Sequence, residues 1–140
     1  QVSGLMVIKK LAGIFDKENV NRLEVTWNSD TIDMIRSKFI IRAFKKENVL
    51  KNTTERGNQI KRILSEVKEI RALRAKGLII GFDLKDTSSR DNFMKTLYSK
   101  GMICNSTGKR SIRLRPNLCL TKNEAELGCR LIKEALLEIE

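Results

Sequence analysis

The run Ser111 to Pro116, SIRLRP, sets two guanidiniums among apolar residues and then stops at a proline. Side chains alternate across a strand, so Arg113 and Arg115 share one side and Ile112 and Leu114 the other. A strand end of this kind presents a fixed cation to an anionic ligand or to a buried carboxylate. Upstream, KGLIIGFDL (Lys76 to Leu84) supplies a second run of branched residues. Downstream, TKNEAELGCRLIKEALLEI (Thr121 to Ile139) reads as a single amphipathic helix.

With 140 residues the chain is long enough for a domain with its own core. No apolar run approaches the roughly 18 residues of a membrane span. The opening Gln1-Val2-Ser3-Gly4 has neither the basic start nor the apolar stretch of a signal peptide. It also lacks an initiator methionine, which is expected of a processed or trimmed chain or a piece of a longer one. Cys104, Cys119 and Cys129 are odd in number and show no CxxC spacing, as expected of buried free thiols in a cytoplasmic protein. The absence of histidine excludes a His-based triad, a His metal site and a His general base. No metal site is expected from three scattered cysteines.

The net charge of +11 invites a nucleic-acid reading. The basic residues are nevertheless spread along the chain, and clusters such as Lys45-Lys46 and Lys109-Arg110 are short. Aromatic residues make up 5%, too few for a base-stacking platform. Nucleic acid is therefore not the expected principal partner. A basic module binding nucleic acid or an acidic partner stands as the alternative reading.

Gly4 to Lys10 is a short β-prone run, and Leu11 to Glu24 an irregular connection. A helix is expected from about Asp30 to Glu47, capped by Asn28 or Ser29, with Ile32, Ile35, Phe39, Ala43 and Phe44 as its apolar stripe. A second helix is expected from about Leu50 to Ile70, with Leu50, Thr54, Ile60, Ile63, Leu64, Val67 and Ile70 on its buried side. Gly57 inside it is unfavourable by about 1 kcal/mol relative to alanine, and close packing is the expected reason. Extended segments follow at Ile70 to Arg74 and Leu78 to Leu84. Ser88 or Ser89 is expected to cap a helix reaching Ser99, with Phe93, Leu97 and Tyr98 inward. Gly101 sits where a left-handed helix end is expected. Met102 to Cys104 reads as a strand, Asn105 to Lys109 as a turn and Ser111 to Arg115 as a strand. Thr121 with Glu124 forms a capping box for the last helix, whose buried side is Leu127, Leu131, Ala135, Leu136 and Ile139. The pattern is α+β: a small mixed or antiparallel sheet packed against long amphipathic helices.

In order along the chain, these segments resemble the C-terminal part of class III (fold-type I) pyridoxal-phosphate-dependent aminotransferases. The likeness is carried by GLIIGFDL, the Lys100-Gly101-Met102 turn, the Arg113-x-Arg115-Pro116 strand and the terminal helix. VTWNSDTIDMIR, Val25 to Arg36, resembles the Ser-Thr-Trp-Gly-Gly segment and following helix of lysine ε-aminotransferases, and the chain as a whole is most similar to the L-lysine ε-aminotransferase or 4-aminobutyrate aminotransferase branch. QVSGLM, Gln1 to Met6, resembles the sequence just beyond the family's Schiff-base lysine.

The resemblance implies that residues 1–30 are the tail of a large cofactor domain and residues 31–140 the C-terminal small domain. It implies that Thr26 donates to the cofactor phosphate of the neighbouring subunit of a homodimer, and that Arg113 meets the substrate carboxylate or a glutamate. Arg115 is expected to be structural, and Trp27 to pack near the dimer contact. Asn28 and Ser29 stand where the family has a glycine pair, Glu24-Val25 where it has Asn-Ser, and Asn117 where it has a second proline. The reactive lysine is expected upstream of Gln1, so no catalytic residue is assigned here, and the chain alone is expected to be inactive. It is then a piece of the enzyme, one chain of a split enzyme or a degenerate remnant. Its expected partner is the missing N-terminal large domain, and its expected reaction is ω-amino group transfer from a lysine-like or 4-aminobutyrate-like donor to a 2-oxo acid.

Overall fold

A computed structural model of the chain describes residues 30–139. The chain divides into two compact units, Gln1–Glu47 and Asn48–Glu140. The β-prone run at Gly4 to Lys10, Thr26 and Trp27 lie outside the described residues.

In the first unit, helix α1 spans Thr31–Lys46. Asp30, rather than Asn28 or Ser29, caps it: its carboxylate accepts from the Ile32 and Asp33 amides at 2.9 and 3.3 Å. A charged cap also favours the positive end of the helix, which a neutral amide or hydroxyl does less well. No residue of α1 is buried, and Ile32, Ile35 and Phe39 of the expected stripe are all more than half exposed.

The second unit opens with Asn48 in the left-handed region at φ 49° and continues into α2, Val49–Ser65. Helix α2 ends well before Ile70. The Ser65 hydroxyl donates to the Arg62 carbonyl, and the Val67 and Ile70 amides close single turns on Leu64 and Val67. Val67 and Ile70 still pack on the core, which is why they continue the apolar spacing past the helix. At the other end Val49 is buried and Leu50 is exposed.

Strands β1 (Arg71–Lys76), β2 (Ile79–Asp83), β3 (Asn105–Thr107) and β4 (Ser111–Leu114) form one antiparallel sheet in the order β1-β2-β4-β3. Three steps along β1, from Arg71 to Arg74, oppose two along β2, from Asp83 to Gly81. One extra residue is thus bulged, with Ala72 at φ 47°.

Helix α3, Thr87–Ser99, joins β2 to β3. Asp86, two residues ahead of Ser88 and three ahead of Ser89, the expected caps, accepts from the Ser89 amide at 2.8 Å. Gly101, at φ 83°, ends the helix as expected. Its amide bonds the Tyr98 carbonyl and the Met102 amide bonds the Leu97 carbonyl, the paired bonds of a Schellman ending. This ending uses the Met102 N–H, so the expected strand at Met102 to Cys104 does not form and pairing begins at Asn105. Phe93 and Leu97 are fully buried, and Phe93 meets Phe82 edge-on at 6.0 Å. Tyr98 faces out: one residue past Leu97 is about 100° around the helix.

Helix α4, Lys122–Leu137, begins with the expected capping box. Thr121 accepts from the Glu124 amide, and Glu124 accepts from the Thr121 amide at 2.8 Å. Its buried side is Ala125, Cys129, Ile132, Ala135 and Leu136. Leu127 is exposed and Leu131 only partly covered, because the stripe turns toward the small residues that allow close approach.

The observed α+β architecture matches the expected class. One face of the sheet presents Ile80, Phe82, Ile112 and Leu114 to Ile60 and Leu64 of α2, to Phe93 and Leu97 of α3 and to Ile132 and Leu136 of α4. Helix α2 reaches the sheet through Gly57. A Cβ there would stand 2.2 Å from the Gly77 carbonyl oxygen. Gly77 itself turns the β1–β2 hairpin at φ 55°. Gly57 is therefore the close-packing glycine that its cost in a helix suggested.

Two stability measurements check this packing. Gly57→Ala is expected to destabilise the chain by about 2 kcal/mol in chemical denaturation despite the better helix propensity, because the facing atoms are backbone. An unchanged or increased midpoint contradicts the contact. Thr121→Ala is expected to cost about 1 kcal/mol, with Thr121→Asn recovering most of it. Equal losses in both variants count against the cap.

Candidate functional site

The pleat that buries Ile112 and Leu114 turns Ser111 and Arg113 to the opposite face of β4. On that face Arg113 lies directly across from Gly81 of β2 on one side and Asn105 of β3 on the other. Gly81 in turn lies across from Arg74 of β1. The row therefore runs arginine, glycine, arginine, asparagine across four strands. Arg113 is exposed, and among the described residues its guanidinium has no acceptor.

Arg74 behaves differently. Its side chain crosses the gap left by the missing Gly81 side chain, and a Cβ on Gly81 would meet its Nε at 3.3 Å. Its Nη1 donates to the Ala72 carbonyl at 2.8 Å and to Asp83 Oδ1 at 3.0 Å. Its Nη2 reaches the Ser111 hydroxyl at 3.3 Å. Ser111 donates to Asp83 Oδ1 at 2.6 Å, and Arg110 Nε stands 3.4 Å from Asp83 Oδ2. The Ser111 hydroxyl, with the Arg74 and Arg110 guanidiniums beside it, holds the Asp83 carboxyl below the usual carboxylate range.

Beside this row is a recess of about 400 Å³ bordered by Arg74, Lys76, Ile79, Gly81, Thr107 and Arg113. Four cations, Arg71, Arg74, Lys76 and Arg113, stand on the four strands with one carboxylate, Asp83. The surface is built for anions, and a free guanidinium fork at its centre matches a carboxylate in two bonds. Arg115 lies beyond the strand end and, together with Arg113, borders a second, mainly apolar recess of about 320 Å³ between β4 and α4.

Other chemistries find no support among the described residues. Of the three cysteines expected to be buried, Cys129 is buried and Cys104 half-buried, but Cys119 is exposed; burial pushes the Cys104 and Cys129 thiols up to about 11, which keeps them protonated at neutral pH. No group of three or more His, Cys, Asp or Glu among the described residues could hold a metal ion. Lys100 is kept charged by Glu138 at 2.6 Å and by Glu134 at 3.8 Å. That is the opposite of what an amine nucleophile needs. No helix among the described residues is long and apolar enough to cross a membrane.

Of the two site residues expected from sequence, Arg113 is placed on the open face of the sheet, and Thr26 lies outside the described residues. Arg74, Asp83 and Ser111 were not singled out. The signal available for Asp83 was its place at the outward end of a buried strand, and its partners are distant in sequence.

Comparison with known proteins follows the same direction. The family profile "Aminotransferase class-III" matches residues 2–136. L-lysine-epsilon aminotransferase of Mycobacterium tuberculosis is 24% identical over 97% of this chain and 32% of its own length. Acetylornithine aminotransferase of Bacillus cereus is 30% identical over 79% of this chain and 29% of its own length. A solved structure of the M. tuberculosis lysine aminotransferase superimposes with a TM-score of 0.80 at 23% identity, over 90% of this chain and 30% of that one. The chain thus spans about a third of the length of the curated relatives it matches. From the profile match, this chain belongs to the class III aminotransferase family.

Proposed function

We propose that residues 31–140 act as the C-terminal small domain of a pyridoxal-phosphate-dependent class III aminotransferase and that Arg113 binds the substrate carboxylate. In this reading residues 1–30 continue the large cofactor domain, and the working enzyme is a cytoplasmic homodimer. The amino group passes from a lysine-like or 4-aminobutyrate-like donor to a 2-oxo acid. The observation that carries the reading is the Arg113 guanidinium, without an acceptor among the described residues and opposite Gly81 on a cationic sheet face.

Family membership implies pyridoxal phosphate in the complete enzyme, where it supplies the electron sink for amino-group transfer. The described residues do not themselves fit that cofactor. Lys100 is committed to two glutamates, and the open face suits a carboxylate rather than a pyridine ring. Thr26 is proposed to donate its hydroxyl to the cofactor phosphate of the neighbouring subunit. The remaining contacts are assigned to the part of the family fold that this chain does not span.

Within that frame the chemistry of this chain is binding and orientation. The strand holds Arg113 in place because Ile112 and Leu114 on either side are locked in the core. A fork fixed in this way orients one end of a substrate, which raises the rate by removing misaligned poses. By itself the 140-residue polypeptide is proposed not to transaminate.

In an enzyme that carries this chain within a complete class III fold, Arg113→Ala is expected to lower kcat/KM about 10- to 100-fold, the loss of one charged hydrogen-bonded contact. Arg113→Lys is expected to recover only part, since an ammonium cannot make both bonds. Undiminished kcat/KM in Arg113→Ala overturns the assignment. Turnover of any ω-amino acid by the purified polypeptide alone overturns the proposed division of labour.

A further inference from the structure

Asp83 is the sole acidic residue on the four strands, and it is not spent on Arg113. It binds Arg74 at 3.0 Å, Ser111 at 2.6 Å and Arg110 at 3.4 Å. Ser111 and Arg113 are two residues apart on the same face of β4, and Arg74 lies across the glycine opposite Arg113. A ligand carboxylate at Arg113 therefore sits beside a compact group of two guanidiniums and one carboxylate. Removing the carboxylate would leave the charge of both guanidiniums uncompensated beside Arg113, which favours a second anionic group.

We infer that Asp83 is a specificity-determining residue of this site: by pairing with Arg74 and Arg110 it leaves Arg113 as the one uncommitted guanidinium of the Arg74–Gly81–Arg113–Asn105 row, so that the site favours a second carboxylate less than its cations alone would. This rests on the reading of Arg113 as the carboxylate-binding residue. The geometry supports the division. Arg74 spends its Nη donors on Ala72, Asp83 and Ser111, whereas Arg113 spends none among the described residues. The Asp83 side chain is 14% exposed, so its charge is only partly screened by water, while Arg74 and Arg110 are about half exposed and within reach of a ligand.

Local charge acts about twice as strongly on a dianion as on a monoanion, so the preference for a dicarboxylate over a monocarboxylate reports it. The purified chain is titrated at low ionic strength with butyrate and with glutarate, following amide shifts of Gly81 and Arg113 by NMR. Asp83→Asn, which keeps a hydrogen-bonding side chain of the same shape, is expected to raise the glutarate-to-butyrate affinity ratio about threefold. Arg74→Gln is expected to lower it by a similar factor. Arg110→Gln, at an exposed position whose loss does not disturb the core, is expected to lower it too. Salt at 0.5 M should collapse all three differences. A purely structural role would weaken both acids together and leave the ratio where it was. Ratios that stay unchanged, or that move in the same direction in Asp83→Asn and Arg110→Gln, overturn the inference. If in addition Arg113→Ala still abolishes butyrate binding, the carboxylate reading survives alone. If neither acid binds, or Arg113→Ala binds butyrate as before, that reading falls and the inference with it.

Discussion

The contact between Gly57 and Gly77 governs how the second unit is assembled. A helix backbone meets the turn of a hairpin with no side chain between them, and even one methyl group would collide with a carbonyl oxygen at 2.2 Å. That approach brings Ile60 and Leu64 down onto Ile80. Each such side chain contributes about 1.5–3 kcal/mol when fully buried. Helix α4 then closes the layer against α2, and Phe93 of α3 completes it against Phe82. Once one face of the sheet is committed to this core, strand pleating sends every second residue to the other face.

That second face concentrates charge. A polar residue placed among Ile112, Leu114 and Phe82 would have to be desolvated, at a cost of a few kcal/mol without a partner. The outward positions of the same strands accept arginine and lysine freely. Gly81 then has a second function, distinct from that of Gly57. It leaves room for Arg74 to lie flat across β2 and reach both Asp83 and Ser111. The site thus arises from two glycines: one lets the helix seat on the sheet, and the other lets one guanidinium be tied down while Arg113 stays free.

Much of this was legible in the sequence because it depends on local rules. The Thr121–Glu124 capping box and the alternation Ser111–Leu114 around Arg113 each span four residues and act within a single element. Gly101 was legible for the same reason, as a helix end that needs positive φ. The misplaced features share a different cause. Met102 to Cys104 has the apolar look of a strand, yet the Met102 amide is consumed in finishing α3. Val67 and Ile70 keep helical spacing after α2 has ended, because tertiary packing and not helix continuity demands apolar residues there. The bonds from Arg74 to Asp83 and Ser111 and from Ser111 to Asp83 join residues 9, 37 and 28 positions apart. They exist only once the strand order β1-β2-β4 and the bulge at Ala72 are known.

We propose that the outward face of this sheet, through Arg113, receives the carboxylate of an aminotransferase substrate. The most direct measurement is a crystal structure of an enzyme containing this chain in a complete class III fold, with a non-reacting ω-amino acid analogue bound. The carboxylate of the analogue is expected at hydrogen-bond distance from both arms of the Arg113 guanidinium, with Arg74 still bonded to Asp83. A carboxylate held elsewhere, with Arg113 turned to solvent or packed in an unrelated interface, would contradict it.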